Sequence, residues 1–322
     1  MIEVSHISKD YGGRLAVDDL SFTLDKGTIY GFLGPNGAGK STTMNIMTGY
    51  LAATSGSVTV NGHDILKEAE EAKKHIGYLP EIPPVYGDMT VREYLTFAAK
   101  LKKVPKNEQR DRIAKTLQMT NLGGYDGRMI RNLSKGYRQR VGLAQALVAD
   151  PEVIILDEPT VGLDPQQIIE IRNLIRSLKE SHTVVLSSHI LSEVNEVCDE
   201  ILIVSRGRLV AQGTPAALEK TYSGDVTLHL TVLAAESTVR ELLADAAEGC
   251  ALSFLPKQDP ERCTCTLVSG ADEALRITEA VSRALANAGI PVLELYRKQQ
   301  TLEDVFLSVT QATPGRNGGD AS

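Results

Sequence analysis

The first 215 or so residues alternate short apolar runs with longer amphipathic segments, a pattern that is typical of an α/β domain. Continuous apolar runs predict strands of a parallel sheet covered on both faces, at 29–33, 153–156, 184–186 and 201–204. Alternating apolar and polar positions favour a peripheral antiparallel sheet, with strands at 2–7, 20–24 and 57–60. Between residues 90 and 149 the strand pattern is lost. A helical insertion is expected there, with helices over 91–101, 107–119 and 136–148.

A break near residues 220–225 separates a second unit, so the predicted domains are 1–220 and 225–310. The second unit has the order β-α-β-β-α-β, which is that of a ferredoxin-like α+β fold. Its predicted elements are strand 226–232, helix 238–247, strands 252–255 and 263–268, helix 272–287 and strand 292–296. A last helix is expected over 302–309. The Gly-rich, polar segment 313–322 predicts a disordered tail.

Composition and charge narrow the class of protein. The 322 residues contain 34 Lys and Arg against 41 Asp and Glu, a formal net charge of -7. This acidic balance argues against binding to nucleic acid by bulk charge and against a polybasic membrane anchor. No run approaches the roughly 18 apolar residues of a membrane span, and the N-terminus does not resemble a signal peptide. Four cysteines provide no disulfide framework, and the spacing of Cys263 and Cys265 suits one face of a strand. A cytoplasmic location is therefore expected.

A phosphate-binding loop is predicted at residues 34–42, which read GPNGAGKST. The segment follows the strand at 29–33 and precedes a helical run at 44–50, the context that this loop pattern requires. Glycines let the backbone wrap around an oxyanion, and the following helix adds its N-terminal dipole. Lys40 is expected to reach the β- and γ-phosphates, and the Ser41 hydroxyl to ligate Mg²⁺. The predicted nucleotide-binding residues of the loop are Gly34, Pro35, Asn36, Gly37, Ala38, Gly39, Lys40, Ser41 and Thr42.

Two carboxylates follow the apolar strand at 153–156. The carboxyl end of a strand is where open α/β sheets bind ligands, so Asp157 is expected to hold Mg²⁺, directly or through water. Glu158 is expected to act as general base on the water that attacks the γ-phosphate. Alone, an Asp-Glu pair would serve equally well to cap the next helix. The phosphate loop makes the catalytic interpretation the stronger one.

Three more segments complete a pattern: LSKGYRQR at 133–140, PTVGLDP at 159–165, and the run 183–188 leading to His189. With the phosphate loop and the strand carboxylates, these motifs in this order resemble the ATP-binding subunit of an ABC transporter. The resemblance covers about residues 1–215. It implies a mixed sheet core with an antiparallel β subdomain and a helical subdomain. No Asn-Lys-x-Asp motif supports a GTPase.

The resemblance also implies roles for individual residues. Tyr11 would stack on adenine, although an exposed loop tyrosine is the simpler alternative. His189 would touch the γ-phosphate, and Asp164 would cross a dimer interface. Ser134 and Gly136 would meet the γ-phosphate bound by the opposite subunit, while Lys135 and Tyr137 depart from the family's LSGGQ segment.

The main departure is Glu81, which stands where the family usually has glutamine, in the segment IGYLPE at 76–81 that we interpret as a loop. The carboxylate can still ligate Mg²⁺ but adds negative charge beside the γ-phosphate. We therefore expect stronger dependence on Mg²⁺ and slower turnover.

The resemblance implies an Mg²⁺-dependent ATP hydrolase that forms a head-to-tail homodimer. Each ATP would lie between the loop of one subunit and the 134–137 segment of the other. The partners are then a second copy of the chain and a transmembrane permease subunit on a separate chain, reached through the 81–95 loop. The protein would be peripheral, at the inner face of the cell membrane, without nucleic acid.

The segment around Glu81, the LSKGYRQR segment and the phrase TLEDVFL at 301–307 are similar to exporter ATPases of the drug, polysaccharide and gliding-motility-associated type, the last most of all. Two alternatives stay open. One is a soluble ABC ATPase acting on ribosomes or nucleic acid, and the other is a regulatory module that binds ATP without hydrolysing it. The sequence does not specify the transported substrate or the role of the C-terminal domain.

Overall fold

A computed structural model describes residues 1–222, 226–246, 250–255, 262–270, 272–298 and 306. These residues divide into two compact units, one spanning Met1–Pro215 and the other beginning at Ala216. The strands are β1 (Ile2–Asp10), β2 (Leu15–Leu24), β3 (Ile29–Leu33), β4 (Ser55–Val60), β5 (His63–Asp64), β6 (Ile76–Leu79), β7 (Val153–Leu156), β8 (Thr183–Ser188), β9 (Glu200–Ser205), β10 (Arg208–Gly213), β11 (Val226–Val232), β12 (Ala251–Phe254), β13 (Cys263–Ser269) and β14 (Val292–Lys298). The α-helices are α1 (Lys40–Met47), α2 (Ala69–Lys74), α3 (Val91–Leu101), α4 (Gln109–Met119), α5 (Lys135–Leu147), α6 (Pro165–Leu178), α7 (Leu191–Val197), α8 (Pro215–Tyr222), α9 (Glu236–Ala246) and α10 (Ala274–Asn287).

The first unit is built on a six-stranded sheet in the order β10-β9-β3-β8-β7-β6. Strands β9, β3, β8, β7 and β6 are parallel, and β10 pairs antiparallel with β9. Every residue of β3, β7 and β8 is buried, as the continuous apolar runs predicted. The carboxyl ends of β3, β7 and β8 therefore meet at one edge of the sheet.

The pattern analysis missed strand β6. Residues 76–79 were interpreted as part of a loop, but they pair in parallel with β7 and form the edge of the six-stranded sheet. The run is only four residues long and is followed directly by Pro80, so it carries too little periodicity to be recognised. The pairing of β6 with β7 matters for the site, because it places the segment that contains Glu81 beside the end of β7.

A four-stranded antiparallel sheet, in the order β2-β1-β4-β5, packs its apolar face into the core shared with the six-stranded sheet. The helical insertion has its own core, formed where α3, α4 and α5 meet. Helix α3 begins with a complete capping box between Thr90 and Glu93. Both the peripheral sheet and the helical insertion were predicted from the chain pattern.

The second unit has the predicted element order, with an antiparallel sheet in the order β12-β13-β11-β14. This is the strand order of a ferredoxin-like fold. Alternate residues of β11 point into a core against α9 and α10. Cys263 and Cys265 are buried on one face of β13, and burial raises the pKa of the Cys265 thiol to about 12. The helix predicted over 302–309 and the tail at 313–322 lie outside the described residues, apart from Phe306.

In the described part of the chain, the helices are all too short or too polar to cross a membrane.

Candidate active site

A cleft of about 670 Å³ opens at the carboxyl edge of the six-stranded sheet. It brings together predicted residues that are far apart in the sequence. The predicted residues that line it are Tyr11, Asn36, Gly37, Gly39, Lys40, Ser41, Thr42, Glu81, Glu158 and His189. The other residues of the predicted loop, Gly34, Pro35 and Ala38, continue the same turn between β3 and α1.

The loop between β3 and α1 has the conformation that a phosphate loop needs. Gly39, the N-cap of α1, has φ 101°, in the left-handed region that glycine adopts at low cost. A β-carbon there would lie 2.5 Å from the carbonyl oxygen of Ala16, so neighbouring backbone also excludes a side chain. At Gly34 a β-carbon would collide with the carbonyl oxygen of Val204. The glycines thus let the N-terminus of α1 face the cleft, where backbone N–H groups can bind an anion.

Lys40 is the first residue of α1, and its ammonium group is held over the loop. The Nζ atom donates to the carbonyl oxygen of Gly34 at 2.8 Å and lies 3.6 Å from Oε1 of Glu158. Lys40 is 6% exposed and Glu158 is 7% exposed. A buried cation is therefore fixed at the mouth of the loop, beside the Glu158 carboxylate that follows β7.

Asp157 and Ser41 present two oxygens to the same point. The Ser41 hydroxyl donates to Oδ1 of Asp157 at 3.3 Å. Hydroxyl and carboxylate oxygens are hard ligands of the kind that Mg²⁺ takes, together with phosphate oxygens and water. Among the described residues, no group of three or more His, Cys, Asp or Glu side chains could hold a metal by itself. Ser41 and Asp157 thus offer two oxygens of the type that Mg²⁺ takes when it is also bound to a nucleotide.

Ser187, which the sequence analysis missed, connects the two carboxylates. Its hydroxyl donates to Oδ1 of Asp157 at 2.6 Å and accepts from the backbone N–H of Glu158 at 2.9 Å. Ser187 is fully buried near the end of β8. The only signal in the sequence was its position two residues before His189, inside the run 183–188.

Glu158 has an unusual backbone for a residue other than glycine, with φ 49°. Its Oε2 lies 2.9 Å from Nδ1 of His189, while Oε1 faces Lys40. His189 is less buried than Glu158, with 42% of its side chain exposed. The carboxylate is thus held between a cation and an imidazole and faces the cleft, and left-handed conformations of this kind cluster at functional sites.

Behind α1, Tyr78 of β6 supports the phosphate-loop helix. Burial raises the pKa of the Tyr78 hydroxyl, and the nearby charge of Asp157 acts in the same direction. The protonated hydroxyl donates to Oδ1 of Asn45 at 3.0 Å. Strand β6 and helix α1 are therefore fixed to each other beneath the cleft.

The rim of the cleft is more exposed. Tyr11 is 53% exposed, and the Nζ of Lys9 lies 5.4 Å from its ring centroid. Glu81 is exposed and lines the cleft. Arg14 and Arg206 also line it, and the sequence analysis missed both because they belong to no motif. The tertiary structure adds two cationic side chains to the wall of the cleft.

Ser134, Gly136 and Asp164 do not line the cleft. Ser134 is the N-cap of α5 and accepts from the backbone N–H of Tyr137 at 3.4 Å. Asp164 is the N-cap of α6 and accepts from the backbone N–H of Gln167 at 2.9 Å. The Gln167 side chain occupies the space beside Gly136, so the starts of α5 and α6 are neighbours. These residues cluster where α5 and α6 begin, after the segment whose Val161 lines the cleft.

Comparisons with known proteins agree on the class. The ABC transporter family matches residues 17–161. The chain is similar to the linearmycin resistance ATP-binding protein LnrL of Bacillus subtilis, with 34% identity over 315 residues, covering 97% of this chain and 99% of that protein. It is also similar to the Nod factor export ATP-binding protein I of Ralstonia nicotianae, with 33% identity over 314 residues, covering 96% of this chain and 94% of that protein.

Solved structures give the same result for the first unit. An ATP-binding subunit of an ABC transporter is 30% identical, with a TM-score of 0.64 over 69% of this chain and 93% of that chain. A dimeric bacterial ABC transporter cassette is 25% identical, with a TM-score of 0.61 over 66% of this chain and 98% of that chain. Both matches cover about two thirds of this chain.

A glycine-rich loop after a buried parallel strand, with carboxylates after a second strand of the same sheet, defines a P-loop nucleotide-binding protein. More specifically, the chain belongs to the family of ABC transporter ATP-binding proteins, and it is an ATP hydrolase. The predicted family, fold and activity are confirmed. The gliding-motility subtype stays a prediction.

Proposed function

We propose that this chain is the ATP-binding and hydrolysing subunit of an exporter and drives a transmembrane subunit on a separate chain, at the inner face of the cell membrane. The support comes from relatives whose names refer to antibiotic resistance and to Nod factor export. They match almost the full length of the chain, including its C-terminal unit. The exposed segment that starts at Glu81 would contact the transmembrane subunit.

The observation that carries the proposal is the pair of side-chain contacts in one cleft, Ser41 with Asp157 and Glu158 with His189. Lys40 binds the β- and γ-phosphates, and Ser41 and Asp157 would hold Mg²⁺, which would neutralise phosphate charge. Glu158 accepts the proton of the attacking water, and His189 touches the γ-phosphate. Tyr11 stacks on adenine at the exposed rim.

A head-to-tail dimer completes the site. Ser134 and Gly136 lie outside the cleft of their own chain, at the start of α5, where backbone N–H groups favour an anion. In the proposed dimer they bind the γ-phosphate held by the other subunit, and Asp164 lies at the interface. The two exchanged contacts are identical, so the interface has twofold symmetry.

The general-base assignment predicts that Glu158→Gln lowers the ATPase rate by about 10²–10⁴-fold. The variant should still bind ATP, because Lys40 and the loop are unchanged, and it should accumulate as an ATP-bound dimer. Steady-state ATPase assays, nucleotide titration and sedimentation measure the three properties. Glu180→Gln removes an exposed carboxylate elsewhere and is the matched control. Turnover of Glu158→Gln at the parent rate would exclude Glu158 as the base.

Glu81 adds negative charge to a site that already holds a triphosphate. Glu81→Gln is therefore expected to lower the Mg²⁺ concentration that gives half-maximal ATPase activity and to raise turnover. Titration of MgCl₂ at constant ATP measures both effects. Unchanged Mg²⁺ dependence and unchanged rate would show that Glu81 does not act on the metal or the γ-phosphate.

The two alternatives make different predictions. A regulatory module would bind ATP without turnover, which the same steady-state assay detects. An ATPase acting on ribosomes or nucleic acid would be stimulated by RNA or DNA, whereas the proposed subunit is stimulated by its membrane partner. The net charge of -7 disfavours the second alternative, because nucleic-acid binding requires clustered cations.

A further inference from the structure

Two side chains of opposite charge, Glu81 and Lys135, occupy positions at which the family usually has uncharged residues. Both are exposed. Within the part of the chain that the structure describes, neither makes a hydrogen bond or an ion pair. Each therefore presents an uncompensated charge on a surface that the proposed dimer brings to the nucleotide.

Glu81 belongs to the nucleotide cleft. It lines the cleft with Lys40, Ser41 and Glu158, at the end of the edge strand β6. Within the cleft, Lys40 lies 3.6 Å from Glu158, so the nearest buried cation is already shared with another carboxylate. Glu81 adds a second carboxylate to the wall of the cleft where a triphosphate must bind, alongside the cations of Arg14 and Arg206.

Lys135 lies at the start of α5 and is not among the residues that line the cleft of its own chain. It is the first residue of α5, directly after the capping residue Ser134. Its ammonium group packs against Gly162, in the turn that precedes α6, on the side where a β-carbon would point. Gly162 has φ 72°, and the lysine side chain fills the space that this glycine leaves open. The cation is thereby held at the point where α5 and α6 begin.

We propose that Glu81 of one subunit and Lys135 of its partner form a charge pair across each ATP in the dimer. This inference rests on the proposed head-to-tail arrangement. The added carboxylate and the added ammonium group cancel within each composite site, so the site keeps the charge balance that a triphosphate requires. A second copy of this chain supplies both charges at both sites, and the pair therefore selects the homodimer.

The test uses the full chain carrying Glu158→Gln, so that ATP-bound dimers accumulate, and measures their dissociation constant by sedimentation. Glu81→Gln and Lys135→Gln are each expected to weaken dimerisation by about fivefold or more. If the two residues interact, the double variant should raise the dimer dissociation constant by less than the product of the two single factors. The difference, which measures their coupling, should be at least about threefold. The charge exchange, Glu81→Lys with Lys135→Glu, should recover most of the parent affinity.

Matched controls separate a local pair from general charge effects. Glu180→Gln and Lys106→Gln make the same charge changes at exposed residues that have no partner among the described residues, and they should leave dimerisation unchanged. Raising the NaCl concentration should weaken the parent dimer more than the double variant, since salt screens the pair. Binding of ATP to the monomer should be the same in Lys135→Gln, because Lys135 does not line its own cleft.

Additive single effects, or a Lys135→Gln dimer as tight as the parent, would overturn the charge pair while leaving the dimer intact. A Lys135→Gln dimer whose weakening the charge exchange does not restore would assign the lysine to the turn of its own chain instead, and would also overturn the proposal. The parent chain, which carries Glu158→Gln, could also stay monomeric with saturating ATP and Mg²⁺. That result would refute the proposed dimer, and the pair with it.

Discussion

At the scale of single residues, the site depends on a buried hydroxyl that carries no charge and had no predicted role. Ser187 links the carboxylate of Asp157 to the backbone of Glu158. Glu158 needs that support, because its left-handed backbone is unfavourable for a residue with a side chain. A serine buried near the end of β8 therefore sets the positions of the two carboxylates that directly follow β7.

Ser187→Ala is expected to leave the buried N–H of Glu158 without an acceptor, at a cost of about 1–3 kcal/mol in the free energy of unfolding. Turnover should fall about tenfold while the dissociation constant for ATP changes little, because Lys40 and the phosphate loop are untouched. Chemical denaturation, ATPase assays and nucleotide titration give the three values. Ser177→Ala, at an exposed helical serine, is the matched control. Equal losses of turnover and ATP affinity would mean that Ser187 supports binding rather than the position of Glu158.

At the scale of elements, two helices begin beside each other at residues that do not line the cleft. Ser134 caps α5 and Asp164 caps α6 through hydrogen bonds to backbone N–H groups. The sequence placed both residues at a dimer interface through the resemblance, and the structure adds a local role for each. Any mutation of Asp164 thus combines a capping effect with an interface effect.

Two substitutions separate these effects at Asp164. Asp164→Asn keeps a side-chain acceptor for the N–H of Gln167 and removes the charge, so its stability should be close to that of the parent. Asp164→Ala also removes the cap and should lower the free energy of unfolding by about 1 kcal/mol. If the charge acts at the interface, both variants should lose ATPase activity to a similar extent. Activity that falls only in Asp164→Ala, in step with its stability, would contradict an interface role.

At the scale of the whole molecule, the chain is two units with separate cores. The first core lies between the two sheets, and the second lies between the ferredoxin-like sheet and its helices. Every residue that lines the nucleotide cleft comes from the first unit. Nucleotide binding should therefore stabilise one unit directly, and the second should keep its own stability.

Leu230 is fully buried in the second core, and Leu230→Ala should cost about 2–5 kcal/mol there. Scanning calorimetry of this variant should show one transition at lower temperature and one at the temperature of the parent. ATP with Mg²⁺ should raise the melting temperature of the first unit alone, because a ligand stabilises only the state that binds it. Ile175→Ala, in the first unit, is the converse control. A single transition that both mutations lower equally would contradict independent units.

The sequence by itself determined the elements and the chemistry that follow from local pattern. Runs such as 153–156 specify covered strands because parallel strands bury both faces, and the loop at 34–42 is contiguous, so its role can be recognised from its order alone. The alternation in β11 and the element order after it were enough to predict a ferredoxin-like unit. These features depend on neighbours along the chain.

Only the tertiary structure decided which distant residues share the site. Strand β6 is too short to carry a periodic signal, yet its pairing with β7 places Glu81 in the cleft. Ser187 lies in β8, Arg206 follows β9 and Arg14 precedes β2, and none of them had a predicted role. The strand order β9-β3-β8-β7-β6 brings Ser187 and Arg206 to one edge of the sheet, and Arg14 reaches the cleft at that edge from the turn between β1 and β2 of the antiparallel sheet. Contacts between residues this far apart are fixed by packing and strand pairing, which no local pattern encodes.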